Sequence, residues 1–363
     1  MRTLFVHIGL PKAGSTSLQH FFMTNRALLE RQGVAYPAAG AYHHQVAQHV
    51  WARALKGPRY QYYWIEPDDA RYHVDALQQE LLDHIAASPC PTVMLSAEEL
   101  WHPAIPPKLA DAFADGPWTT KILIYARRQD HLLLSAYNQC VKTLDPRVVD
   151  REHVESLEVL VRDELASTRP FFALYPTLRD YAERFGRDNV LVRVLEREQL
   201  VNGDLFDDVL SVLGLRPDDR LERPKRLNAS LPQQLIDVVD QLNRRSTLPR
   251  GPQLSFNYRL RHLAEMMPLQ DYAPLSAARR REILARFEDD NARVAQEFLD
   301  RSDGRLFFEP WPDPNEAWAP PPALTPELMT RAVARLWEAE DARTRALREK
   351  LAQRQQELGG CER

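Results

Sequence analysis

A lysine, a glycine and three hydroxyls stand almost in a row near the start of the chain: Lys12-Ala13-Gly14-Ser15-Thr16-Ser17. They follow an apolar run, Leu4-Phe5-Val6-His7-Ile8, and a Gly9-Leu10-Pro11 turn, and they lead into a helical pattern. Strand, loop and helix N-terminus in that order make an anion-holding unit. The first N–H groups of a helix lack intrahelical partners, and the helix dipole favours negative charge there. Gly14 permits close approach of the backbone, and Ser15, Thr16 and Ser17 add hydroxyl donors. A plainer reading makes the stretch a strand–helix turn capped by Ser15 or Thr16. The order is not that of a Walker A loop, in which the lysine comes after the second glycine.

The loop needs a strand in front of it and a helix behind it. The spacing predicts a strand over about residues 3–8 and a helix over about 15–32, with Leu18, Phe21, Phe22, Leu28 and Leu29 on its apolar side. Further strands are expected at 92–95, 121–126 and 190–194, and helices at about 75–87, 129–142, 171–185 and 205–213. This alternation, with strands apolar on both faces, predicts an α/β fold: a parallel sheet flanked by helices. Residues 232–245 and 276–299 read as further helices. Residues 38–75 break the pattern and read as an insert rich in aromatics and histidines.

The expected organisation is therefore an α/β domain over 1–309, a proline-rich linker over 310–326 and a long charged C-terminal helix over 327–363. That helix carries sparse apolar positions at Met329, Val333, Leu336, Leu347, Leu351 and Leu358. It reads either as a solvated tail or as a surface for self-association.

The 363 residues carry a net charge of −4, which argues against a general nucleic-acid binder. The three cysteines, Cys90, Cys140 and Cys361, form no CxxC pair and read as reduced thiols of a cytoplasmic protein. The opening run is too short and too loop-bounded for a signal peptide. No apolar run approaches the ~20 residues of a membrane helix. His43, His44 and His49 are not followed by a paired ligand cluster, so no metal is expected.

Pro11-Lys12-Ala13-Gly14-Ser15-Thr16 directly after a first strand resembles the 5′-phosphosulfate loop of sulfotransferases that use 3′-phosphoadenosine 5′-phosphosulfate (PAPS). The longer string from His7 to Gln19 looks most like the bacterial sulfotransferase-like proteins, whose fold is P-loop-like. A second stretch, Ile122-Leu123-Ile124-Tyr125-Ala126-Arg127 with Leu134-Ser135-Ala136-Tyr137, is similar to the family's 3′-phosphate motif. There an arginine ends a strand and a serine lies eight residues on, inside the next helix. Arg127 would fork two N–H groups onto a phosphate and Ser135 would add a hydroxyl. Arg128 is the rival, but the spacing favours Arg127. Tyr181-Ala182-Glu183-Arg184-Phe185-Gly186, residues 190–196 and 208–215, and Arg226-Leu227-Asn228-Ala229-Ser230-Leu231 extend the likeness. They make Asn228 and Ser230 late-loop candidates. The resemblance covers roughly residues 3–245, leaving out 38–75 and everything after 300.

The resemblance implies transfer of a sulfuryl group from PAPS to a hydroxyl or amine of a glycan, glycolipid or small metabolite. Adenosine 3′,5′-bisphosphate (PAP) is the product, and no metal takes part. Lys12 would be the cation beside the bridging oxygen, with Ala13, Gly14, Ser15, Thr16 and Ser17 around the phosphosulfate. The first choice for the base is Glu98, in Ser96-Ala97-Glu98-Glu99 at a strand end. Glu99 comes second, and His7, His43, His44 and His102 are further alternatives. Glu98 and Glu99 also suit the plain role of opening a helix. Two other functions stay open: a catalytically inactive nucleotide-binding assembly protein acting through its C-terminal helix, and a P-loop kinase. The lysine order and the lack of an evident acidic magnesium partner count against the kinase.

Overall fold

Leu4, Val6 and Ile8 have no exposure, and Phe5 and His7 between them are nearly as buried. A strand with alternate side chains on opposite faces must then be covered on both, and β1 (Arg2–Ile8) is. The same holds for β4 (Trp118–Ala126), where Ile122, Leu123, Ile124, Tyr125 and Ala126 are all buried. With β2 (Val34–Ala35), β3 (Thr92–Ala97) and β5 (Val190–Val194) they form one parallel sheet of order β2-β3-β1-β4-β5. His7 stands opposite Ser96 of β3 and Leu123 of β4.

The structure, a computed structural model, describes the chain except residues 1, 11–12, 38–47, 49–50, 53–54, 56–73, 115, 144–155, 225–230, 248–252, 254–255, 258–259, 261–265, 268 and 361–363. The connecting helices are α1 (Ser15–Thr24), α2 (Arg26–Arg31), α3 (Val74–Ala87), α4 (Ile105–Phe113), α5 (Gln129–Thr143), α6 (Ser156–Ala166), α7 (Leu174–Phe185) and α8 (Leu205–Val212). They are followed by α9 (Gln233–Arg245), α10 (Ala277–Arg286), α11 (Glu288–Leu299) and α12 (Pro326–Gly360). A parallel sheet flanked by helices, with a long C-terminal helix, is the α/β class that the alternation predicts.

Two local departures have physical causes. The single helix expected over 15–32 is broken at Asn25, whose side chain donates to Phe21 O (2.9 Å) and to Glu222 O (2.8 Å) and accepts from Glu222 N (2.7 Å). The helix expected over 276–299 breaks at Phe287, which is fully buried between α10 and α11 in sequence.

The chain divides into two compact units. The first comprises Met1–Ala136, Val161–Ala229 and Ala278–Pro314 and contains the sheet. The second comprises Tyr137–Leu160, Ser230–Ala277 and Asn315–Arg363. Within it, Asn243 of α9 donates to Val141 O (2.7 Å) and accepts from Asn257 (2.9 Å) and Gln253 (3.1 Å). A cleft of about 310 Å³ there is lined by Tyr137, Glu158, Asp237, Asp240 and residues 321–324 among others. Among the described residues, no helix is long and apolar enough to cross a membrane.

The strand order fixes where a ligand would sit. From β1 the chain leads to β2, on one side of the sheet, whereas from β4 it leads to β5 on the other. Neighbouring strands whose connections diverge leave a crevice at their carboxyl ends, the usual ligand position in open α/β sheets. Here that crevice lies between β1 and β4.

Candidate active site

On the β1 side, the turn is built around two glycines. Gly9 donates to Ala97 O (3.1 Å), tying the turn to β3. A Cβ on Gly9 would lie 2.7 Å from Ser15 Oγ and 3.3 Å from the Cα of Glu98. Only glycine lets the loop, the start of α1 and the turn after β3 close up together. Gly14 has a φ of +86°, and a Cβ there would meet Leu205 Cδ2 at 2.8 Å. Both the left-handed backbone and the packing demand glycine.

No side chain caps α1; its cap is Gly14, and the buried Ser15 hydroxyl donates back to Leu10 O at 3.4 Å. The first hydrogen bond of α1 runs from Leu18 N to Gly14 O (3.1 Å). The N–H groups of Ser15, Thr16 and Ser17 therefore begin the helix without intrahelical partners. Ala13 is buried, Thr16 exposed and Ser17 half-buried. Lys12 and Pro11 lie outside the described residues, as do His43, His44, Asn228 and Ser230.

Glu98 and Glu99, both half-buried, open a single 3-10 turn (Glu98–Trp101) directly after β3. Two aromatics hold that turn. Trp101 Nε1 donates to Phe171 O (3.0 Å), and the Tyr181 hydroxyl of α7 donates to Leu100 O (2.7 Å). His102 is half-buried, and its Nδ1 accepts from Ala104 N (3.2 Å).

On the β4 side, Arg127 follows the last strand residue and is half-buried. Burial lowers its pKa, against the opposing charges of Asp130 and Glu309. Ser135 is half-buried in α5. Arg128 points its guanidinium elsewhere: it grips Asp130 through Nε (2.9 Å) and a terminal nitrogen (3.0 Å). It also donates to the carbonyls of Glu309 (3.2 Å) and Pro310 (2.9 Å) and pairs with the Glu309 carboxylate (2.6 Å). Burial alone would raise the Asp130 carboxyl. Hydrogen bonds from Arg128 and Arg280, with His131 nearby, hold it below its ordinary value.

Two buried polar clusters flank the crevice, and no spacing in the sequence links their members. In the first, Ser96 Oγ shares a 2.8 Å hydrogen bond with His7 Nδ1 and accepts from Gln19 (3.3 Å). Ser96 N donates to Gln48 Oε1 (2.7 Å). In the second, Asp208 of α8, fully buried, receives the Arg193 guanidinium, the Tyr125 hydroxyl (2.9 Å) and Val201 N (3.1 Å). The hydrogen bond to Asp208 raises the pKa of Arg193. Among the described residues, no group of three or more His, Cys, Asp or Glu is placed to hold a metal ion.

His7 gives a pH prediction. Burial drops its pKa from 6.5 to about 4. Between those values the unfolded chain holds a proton that the folded chain refuses, so stability is full above pH 6.5 and falls as pH drops towards 4. At 1.36 kcal/mol per pH unit, the expected loss across the window is roughly 3 kcal/mol. Urea unfolding of the wild type and a His7→Asn variant at pH 7 and pH 4.5 checks it. The variant should lose less stability on acidification than the wild type.

Comparison with known proteins gives the following. No family model matches the chain. A protein of Archaeoglobus fulgidus described as uncharacterized is 25% identical over 182 residues, which are 50% of this chain and 46% of that protein. The chain thus spans about half the length of that relative. A solved structure, a sulfotransferase from Alicyclobacillus acidocaldarius, matches at a TM-score of 0.38 and 16% identity over 74% of this chain and 98% of that one. The α/β class of the chain rests on its own sheet.

Proposed function

We propose that the chain is a PAPS-dependent sulfotransferase. One observation carries the reading: the two stretches that resemble phosphate-holding motifs follow β1 and β4, adjacent strands whose connections diverge. The site then lies where such folds gather their ligands. Gly14, at a φ that L side chains avoid, brings the unpartnered N–H groups of Ser15, Thr16 and Ser17 to the 5′-phosphosulfate. Ser15 contributes its N–H alone, since its hydroxyl is turned to Leu10 O. Arg127 and Ser135 take the 3′-phosphate, while Arg128 is committed to Asp130 and Glu309.

In the proposed reaction the bond from sulfur to the bridging phosphate oxygen breaks as a bond from sulfur to the acceptor oxygen or nitrogen forms. Lys12 offsets the charge that grows on the departing phosphate. Glu98 accepts the acceptor's proton. Its main chain packs against Gly9, which sets it beside the loop. His7 is a poor base for an incoming acceptor, being buried. Most of the acceleration comes from alignment and fixed charge. The acceptor is a hydroxyl or amine of a glycan, glycolipid or small metabolite. The buried cysteines Cys90 and Cys140 form no disulfide, which suits a reducing cytoplasm.

Calorimetry with adenosine 3′,5′-bisphosphate beside ATP with magnesium tests the reading. Binding of the bisphosphate in preference to ATP is expected. No uptake by the folded chain overturns the assignment, and preference for ATP with magnesium points to a kinase. Binding without release of bisphosphate from PAPS points to an inactive nucleotide-binding protein. Glu98→Gln should keep the bisphosphate affinity and lower transfer by about 10²- to 10³-fold. Full activity in that variant removes Glu98 from the base role.

A further inference from the structure

Among the described residues, helix α12 presents a line of exposed apolar side chains. Val333, Trp337, Leu347 and Leu351 are 50%, 76%, 56% and 59% exposed. At about 100° per residue they fall within about 40° of one line along the helix. Glu340 and Thr344 fall on the same line between them. From residue 341 to 352 every position is exposed. Most helical stability in proteins comes from packing an apolar face rather than from propensity. The ion pairs Arg331–Glu327 and Arg345–Asp341, both 2.8 Å, add only a few tenths of a kcal/mol each.

The four exposed apolar residues are spaced four, ten and four apart, the same in either direction, with Ala342 at the centre. Charge is not symmetric about that centre. Residues 327–341 hold four acidic and two basic side chains, and the mirror stretch 343–357 holds five basic and two acidic. A parallel pair would set like charge on like. An antiparallel pair crossing at Ala342 sets the acidic half of each helix on the basic half of the other. It places Val333 opposite Leu351 and Trp337 opposite Leu347 at both ends, with Glu340 facing Thr344 in the middle.

We infer that α12 is an antiparallel dimerisation helix and that a second copy of this chain occupies its apolar line. Aromatic and aliphatic anchors at both ends supply the attraction, and the charge halves fix the direction. The device is independent of any activity of the first unit.

Sedimentation equilibrium of the full chain should give a dimer at about 50 µM. Trp337→Glu and Leu347→Glu should each raise the dissociation constant by roughly 30-fold or more. Ala334→Glu, off the line, should leave it unchanged. Far-UV circular dichroism shows that the variants keep their fold. Direction is read by a spin label on the thiol of an Ala352→Cys, Cys361→Ser chain. An antiparallel pair separates the two labels by about 30 Å, and a parallel pair by about 10 Å. A monomer at that concentration overturns the inference, including one that binds lipid vesicles through this helix. So does a dimer insensitive to Trp337→Glu and Leu347→Glu, and a short label distance overturns the antiparallel arrangement.

Discussion

Lys12→Ala should lower the release of adenosine 3′,5′-bisphosphate from PAPS by about 10²- to 10³-fold. The proposed cation acts on charge that is small in the bound donor and large in the transition state. An interaction of that kind is lost from turnover more than from affinity. The KM for PAPS should therefore rise only a few-fold. Lys12→Arg should recover part of the rate, because the charge returns on a wider, planar head. The substitution removes no residue of the β1 core, where Leu4, Val6 and Ile8 are wholly buried. The thermal midpoint should stay within about 2 °C of the wild type. The measurement is nucleotide release from PAPS under initial-rate conditions, with water or a phenol as acceptor. Activity within threefold of the wild type would remove Lys12 from the chemistry.

The central strands were legible because burial on both faces leaves a mark in local sequence. Residues 122–126 are a continuous apolar run, residues 4–8 an apolar run broken only by His7, and β5 matches its expected bounds at both ends. Two-residue β2 has no such run and takes its place only by pairing with β3. The breaks at Asn25 and Phe287 depend on partners distant in sequence or on depth of burial, which periodicity does not carry. Helix α4 had a local signal that the periodic reading passed over, prolines at its first positions in Ile105-Pro106-Pro107. In the candidate site, glycine and strand-end positions were readable one at a time. That Gly9 is squeezed between Ser15 and Glu98, or that Ser96 joins His7 to Gln19, required the register of β1 with β3.

Arg127 and Arg128 provide the sharpest separation of binding from folding, because adjacent arginines should fail in opposite ways. Arg128→Ala should destabilise the fold by about 3 kcal/mol. The Asp130 side chain has no exposure, and it would keep only Arg280 (2.7 and 2.9 Å) as a guanidinium partner. Glu309 would lose its 2.6 Å contact, and the carbonyls of residues 309 and 310 would lose a donor. Once the fold is populated, nucleotide affinity should be near normal. Arg127→Ala should do the reverse. Burial already lowers the pKa of this guanidinium, so an anionic partner gains from meeting a partly desolvated cation. Loss of two charge-assisted hydrogen bonds should weaken adenosine 3′,5′-bisphosphate binding by about 30- to 100-fold. Stability should fall by less than in Arg128→Ala. Urea unfolding and calorimetry on the same two variants read both quantities. If Arg128→Ala loses the nucleotide with its fold intact, the phosphate role belongs to Arg128 and the eight-residue spacing to Ser135 is coincidence. If Arg127→Ala binds the bisphosphate as the wild type does, the β4 side of the crevice does not hold the 3′-phosphate.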